Sequence, residues 1–230
     1  PELYDQVKSA SETDRAKALG VAYQVLVPDD QRTELQMDFS VLAMKPTETQ
    51  PRPIKPGEVL RTNDKVAFVV RTSRAAHVYI FQRSPDGAVN VLFPDDRIGV
   101  TNPLPASQAL RIPSGDRFYR VNEKDIGEEK VFLVASLQPL ASMQKAAGMI
   151  AGGSAKVPVL DTLNTIGSGA QPSCTMRALE LEGLPAGCVR TRGLEYDDAG
   201  SQGGGASMSL RTEAADTVIA GVFRFQHAAN

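Results

Sequence analysis

The chain is poor in the side chains that most chemistry requires: 230 residues hold two histidines and two cysteines, and 25 basic against 27 acidic residues leave a formal charge of only −2. Each scarcity removes a class of function. A balanced charge offers no electrostatic footprint for nucleic acid or an anionic membrane. The longest apolar runs, such as VFLVASL at 131–137, are far short of the ~20 residues of a membrane-spanning helix. His77 opens an apolar run and His227 lies three residues from the last position, so both are poorly placed as bases. No serine or cysteine sits in a GxSxG or cysteine-protease signature. The glycine-rich stretches GSGAQPS and SQGGGAS are not followed by Lys-Ser or Lys-Thr and do not lie between a strand and a helix, so they read as loops, not phosphate cradles. There is no internal repeat. The chain opens at Pro1 without an initiator Met or a charged-then-apolar leader, which we read as a processed or trimmed chain, a signal peptide being one candidate for the missing leader. The expectation is a protein that is not an enzyme and takes no cofactor.

What is present is an ordinary globular composition, 42% hydrophobic and 23% charged, long enough for one main domain with appendages. Cys174 and Cys188 are separated by 13 residues, TMRALELEGLPAG, enough for a hairpin or loop to bring them together. If oxidised, a ring of that size contributes roughly 3 kcal/mol. We read the pair as a disulfide of an exported protein; the alternative is two free thiols in a cytosolic one. The spacing is not that of a zinc pair, and neither histidine is near it in sequence.

Strand patterning dominates the middle of the chain. Residues 3–26 carry a broken helical periodicity interrupted by SASETD, with Ser11 or Thr13 as N-caps. TELQMDFSVLA then alternates cleanly, Leu35, Met37, Phe39 and Val41 on one face, as a half-buried strand does. MKPTETQPRPIKPG has four prolines in 14 residues and predicts an extended connector. From Glu58 to Leu137, KVAFVVRT, HVYIFQ, VNVLF, ALRIP, RFYRV and EEKVFLVASL follow one another with SPDG and SGD among the turns. Pro85, Asp86 and Gly87 suit a type I turn closed by a glycine bulge. Many short strands without a long helix predict a mainly β fold, a β-sandwich, immunoglobulin-like or similar, with short flanking helices. Leu140, Met143, Ala147 and Ile150 predict a short amphipathic helix, residues 152–173 a loop, and DTVIAGVFRFQ a final strand returning to a sheet with Phe223 and Phe225 on one face. The resulting division is 1–50, helical segment plus strand; 51–140, sandwich core; and 141–230, an extension with a helix, the Cys174–Cys188 loop and the last strand.

The order of motifs within this core resembles the bacterial domain-of-unknown-function family numbered 4384. The features are a polar turn at Asn63 and Asp64, a strand ending at Tyr79 to Phe81, an xDGxVxxLFP hairpin from Asp86 to Pro94, a basic-apolar-Pro strand at Arg111 to Pro113, and a GxE turn at Gly127 to Glu129. They span roughly residues 55–140. The resemblance implies a β-sandwich module of exported bacterial proteins, often lipoproteins or envelope components, and sometimes attached to caspase-like peptidase or kinase domains. It brings no catalytic residue set.

Two candidate sites follow. Asp86, Asp95 and Asp96, with Asp116 or Asp125 on neighbouring turns, offer oxygens to a calcium ion, although solvated turn carboxylates explain the same residues. The exposed half of strand 66–72, Tyr79, Phe118, Tyr119 and the edge strands offer a surface for a partner strand, although strand aromatics more often pack a core. The leading functional expectation is a non-enzymatic protein-binding or scaffold module of the periplasm or outer membrane, its partner another envelope protein, with a lipid anchor upstream of Pro1 compatible with it. The alternatives are an accessory domain of a peptidase or kinase system and a glycan- or calcium-binding module. Thiol titration of the denatured, unreduced protein is expected to find no free thiol; two would remove the compartment argument.

Overall fold

The computed structural model describes residues 35–122, 126–154, 157–161, 208–211 and 218–230. The chain divides into two compact units, Pro1–Thr33 and Glu34–Asn230, and the described residues all belong to the second. The helices expected before residue 27, Asp125, Cys174 and Cys188 lie outside them.

Eleven strands and one helix are named in chain order: β1 Gln36–Met44, β2 Arg52–Ile54, β3 Val59–Arg61, β4 Lys65–Thr72, β5 His77–Arg83, β6 Val89–Phe93, β7 Leu110–Ile112, β8 Tyr119–Arg120, β9 Gly127–Ser136, α1 Ala141–Ala151, β10 Met208–Arg211 and β11 Val218–Ala228. They form two sheets. In the first, β1 and β4 pair antiparallel along their length, β10 and β2 share the far edge of β1, and β7 and β8 share the far edge of β4. The second runs β3-β11-β9-β5-β6, with only β3 parallel to its neighbour. The expected β-sandwich is the fold observed.

The alternation in β1 and β4 places Met37, Phe39, Val41, Val66, Phe68 and Val70 against Val78, Ile80, Leu133 and Phe223 of the other sheet. Phe39 meets Phe223 edge-on at 5.8 Å across the sandwich and stacks beside Phe68 at 6.1 Å within its own sheet. The second sheet is covered on both faces. Val131, Leu133 and Ala135 of β9 point into the sandwich, while Phe132 and Val134 point into a second core with Tyr79, Phe81, Met143, Ala146 and Leu160. That is why β9 reads as a continuous apolar run where β1 reads as alternation. α1 forms the third layer. Its N-terminal Leu140 lacks a side-chain cap, and its N–H donates instead to the Tyr79 hydroxyl at 3.0 Å.

Three expectations need correction. The proline-rich connector contains β2, because an edge position tolerates a residue that cannot donate: Pro53 lies opposite Leu42, and Ile54 is buried in the core. The 152–173 loop contains a helical turn at 158–161. Val157 and Leu160 bury themselves in the second core, and Asp161 accepts from Arg83 Nη1 at 2.8 Å. The exposed half of strand 66–72 is narrower than the alternation implies: Ala67 is buried and Val69 half-buried, so Arg71 is the outward residue left exposed, while β1 pairs one edge of the strand and β7 and β8 the other. The SPDG turn forms as read: Gly87 has φ 89°, its N–H donates to Ser84 O, and Ser84 N–H donates to Ala88 O.

Gly221 in the middle of β11 has a packing reason. A Cβ there would fall 2.6 Å from Leu210 Cδ1 of β10, so a side chain at this position is admitted only if the Leu210 methyl moves aside. Gly221→Ala is expected to cost about 1–3 kcal/mol in urea denaturation. Leu210→Ala in the same chain should make the double variant lose less than the sum of the single losses; simple additivity would contradict this contact.

Candidate functional site

A cleft of about 920 Å³ lies at the outer edge of the second sheet. That volume lies within the range of small-molecule and peptide sites. All three layers contribute: Ala88–Leu92 of the hairpin and β6, Val66 and Phe68 of β4 with Tyr119–Asn122 from the first sheet, and Ala147, Gly148, Ile150 and Ala151 of α1. The cleft thus wraps an edge strand, with sandwich core on one face and helix layer on the other.

Among the described residues β6 is an end strand, because β5 is its one partner in the sheet. Ser84 and Ala88 exchange the hairpin hydrogen bond, and the register continues Arg83↔Val89, Gln82↔Asn90, Phe81↔Val91. Antiparallel pairs alternate between bonded and non-bonded, so Val89 and Val91 turn their N–H and C=O groups away from β5, toward the cleft. A bulge at Leu92, where Ile80↔Phe93 follows Phe81↔Val91, ends the regular edge. The strand sequence VNVLF carries no charge, although charge is the usual protection of an exposed edge.

The polar groups beneath are engaged with one another. Gln82 Nε2 donates to Glu129 Oε2 at 2.7 Å and to Ser84 Oγ at 3.2 Å, while its Oε1 accepts from Asn90 Nδ2 at 3.1 Å. Asp95 caps the short 3₁₀ turn Asp96–Ile98 by accepting from Arg97 N–H at 2.9 Å, and the Arg97 guanidinium folds back onto the same carboxylate. That guanidinium holds the Asp95 carboxyl below the usual aspartate range. Tyr119, 39% exposed at the rim, has its phenol pushed up by partial burial and by the Asp95 charge.

The candidate residues read from sequence fall in different places. Asp86 accepts from Ala88 N–H in the hairpin turn, and Asp95 is taken by Arg97. Among the described residues no three His, Cys, Asp or Glu side chains come together to hold a metal ion; Asp86 and Asp95 accept backbone N–H groups of their own turns instead, and Asp96 sits in the first turn of the 3₁₀ segment. Tyr79 is 1% exposed and packs under α1. Phe118 lies under the Arg111 guanidinium at 4.6 Å, while Arg111 Nη1 donates to the carbonyls of Pro113, Gly115 and Arg117, tying together the loop between β7 and β8. Of the three aromatics only Tyr119 faces the cleft. His77 pairs with Ser136 and His227 with Gly127. These are opposite ends of β9, about 30 Å apart along a strand of that length, so the histidines do not share a site. Desolvation pulls His77 down; His227, 3% exposed, is bonded through Nε2 to Thr62 Oγ1 at 3.1 Å.

The Asp95 cap has a consequence in acid. A carboxyl whose folded pKa lies below its unfolded one stabilises the fold above the unfolded value, and that contribution fades as pH falls through the folded value. Asp95→Ala is expected to lose about 1 kcal/mol at neutral pH, the order of a lost cap. The difference from the parent should shrink as pH is lowered below the ordinary aspartate range in parallel thermal melts. Millimolar calcium should leave both melting temperatures where they were.

No curated protein and no solved structure matches the chain. A family model described as Domain of unknown function (DUF4384) matches residues 59–139. That segment begins at β3 and ends after β9, so it contains the hairpin, the free edge of β6 and the Tyr119 rim, whereas β1, β10, β11 and α1 lie outside it. The resemblance read from the motif order therefore holds over this stretch, which is the part of the chain similar to the DUF4384 family.

Proposed function

We propose that the protein is a non-enzymatic protein-binding module of the bacterial cell envelope, and that it binds by adding an extended segment of its partner to the free edge of β6. The observation that carries this reading is the uncharged end strand set in a cleft, with the backbone groups of Val89 and Val91 directed into it. Apolar surface flanks that edge on both faces: Leu92 and Phe68 belong to the sandwich core, and Val89, Val91 and Ile150 pack against the helix-side core. An incoming strand would place alternate side chains against each, main-chain bonds supplying affinity and the two apolar flanks selectivity. The occupant this chemistry favours is an extended peptide with apolar residues on both faces. The envelope setting rests on the family resemblance and on the reading of Cys174 and Cys188 as a disulfide.

The proposal is tested by quantitative capture from envelope extracts of the host. Val91→Pro removes an outward N–H and blocks strand addition while leaving the pairs with β5 intact. The parent is expected to capture a specific protein, and Val91→Pro, melting within a few degrees of the parent, to capture at least about 10-fold less, the equivalent of one or two lost hydrogen bonds. Val59→Pro, on the opposite edge strand β3 of the same sheet, should capture as the parent does. No captured protein, or equal capture by parent and Val91→Pro, contradicts the reading.

A further inference from the structure

A second depression, of about 600 Å³, lies where the β3–β4 turn meets the end of β1 and β8. Its charge is unlike that of the chain as a whole. Lys45, Arg61, Lys65 and Arg120 all line it, in a protein of net charge −2. They come from positions up to 75 residues apart in sequence and are assembled only by the sheet.

The register makes this assembly costly. Lys65 lies directly opposite Arg120 in the β4–β8 pair and directly opposite Met44, the neighbour of Lys45, in the β1–β4 pair. Like charges directly opposite on adjacent strands repel, and sheets ordinarily place an acid there. Among the described residues no carboxylate forms an ion pair with Lys65 or Arg120. Of the nearby acids, one side-chain carboxylate stands in the lining against four cations and another lies outside it. Asp64, also in the lining and buried, accepts the Arg61 N–H at 2.9 Å, and Glu48 reaches only Lys45, at 3.6 Å. Arg61 donates through Nη1 to Ala229 O at 2.9 Å, which holds its guanidinium at the depression. Cations therefore remain in excess around a space large enough for a multiply charged anion.

We propose that this depression binds a phosphoryl group. Two guanidinium forks and two ammonium groups match the geometry and charge of a phosphate dianion or pyrophosphate better than a single carboxylate, which one arginine satisfies. An anion in the depression removes the repulsion that the cross-strand pair carries without it. The site is independent of the strand-addition reading: Arg120 borders both concavities, but Lys65 lines only this one.

Thermal melts of the full chain with inorganic pyrophosphate test it. The parent should gain about 3–6 °C at ten times the dissociation constant, and the gain should shrink as salt rises. Lys65→Gln and Arg120→Gln, each relieved of its like-charge neighbour, should melt up to about 4 °C above the parent without ligand and lose the pyrophosphate gain. Lys145→Gln, the same charge change on the exposed face of α1, should keep it. Flotation with phosphatidylcholine vesicles containing phosphatidic acid separates the sources: co-flotation competed by pyrophosphate identifies a lipid headgroup, and pyrophosphate binding without flotation a soluble phosphate. A parent that gains nothing from pyrophosphate, or a gain equal in Lys65→Gln and the parent, overturns the proposal.

Discussion

The rest of the structure depends on the ladder between β9 and β11, ten paired residues from Val218↔Ser136 to His227↔Gly127. It occupies the middle of the second sheet, where both faces are covered, so every side chain of β9 from Val131 onward is buried. A central strand covered on both faces loses the most by being unpaired, since its backbone groups have no water to turn to. β11 also carries Phe223 and Phe225 into the sandwich, and its Gly221 leaves room for the Leu210 side chain of the first sheet. Without this strand β9 would have an open edge inside the molecule. The stretch that matches the DUF4384 family model ends before α1 and so does not contain β11; β1, equally central in the first sheet, lies outside it too.

In this arrangement the stretch matching the family model supplies β5, β6 and the outer edge they form in the second sheet, while β11, from the flanking sequence, inserts between its β9 and β3 on the other side. A scaffold of that kind places rigidity and openness at different ends of one sheet. The β9–β11 ladder is buried among two cores, whereas β6 is short, paired on one side, and bordered by a bulge. Recognition by strand addition requires that contrast, because an edge offers its backbone groups only if the strand behind it is held fixed.

The elements with strong period or turn chemistry were legible in the sequence. β1 and β4 showed their inward faces by alternation, the SPDG hairpin by its Pro-Asp-Gly order, α1 by the spacing of Leu140, Met143 and Ile150, and β11 by an apolar segment too long to be a free tail. Elements fixed by tertiary pairing were not. β2 hid among prolines because its only requirement is an edge that β1 provides; Met208–Arg211 is four residues long; the turn at 158–161 is held by Leu160 in a core built from other strands. The sites were harder for the same reason. No local pattern distinguishes β6 from a central strand, since its lack of charge suits both, and only the sheet order makes it an edge. Lys45, Arg61, Lys65 and Arg120 are ordinary surface cations until the register sets them side by side. The acidic residues misled in the opposite sense, because Asp86 and Asp95 cluster in sequence for the sake of turns and caps.

The central claim is that the edge of β6 stands open in a fold whose core is closed by β11, and amide hydrogen exchange on the native protein tests it most directly. The account predicts that the amides of β9 and β11 exchange only through global unfolding. Those of Val89 and Val91 should exchange orders of magnitude faster, although Asn90 between them, bonded to β5, is protected. Val89 and Val91 protected as well as Asn90 would mean that the edge is already covered, and would contradict strand addition at this site.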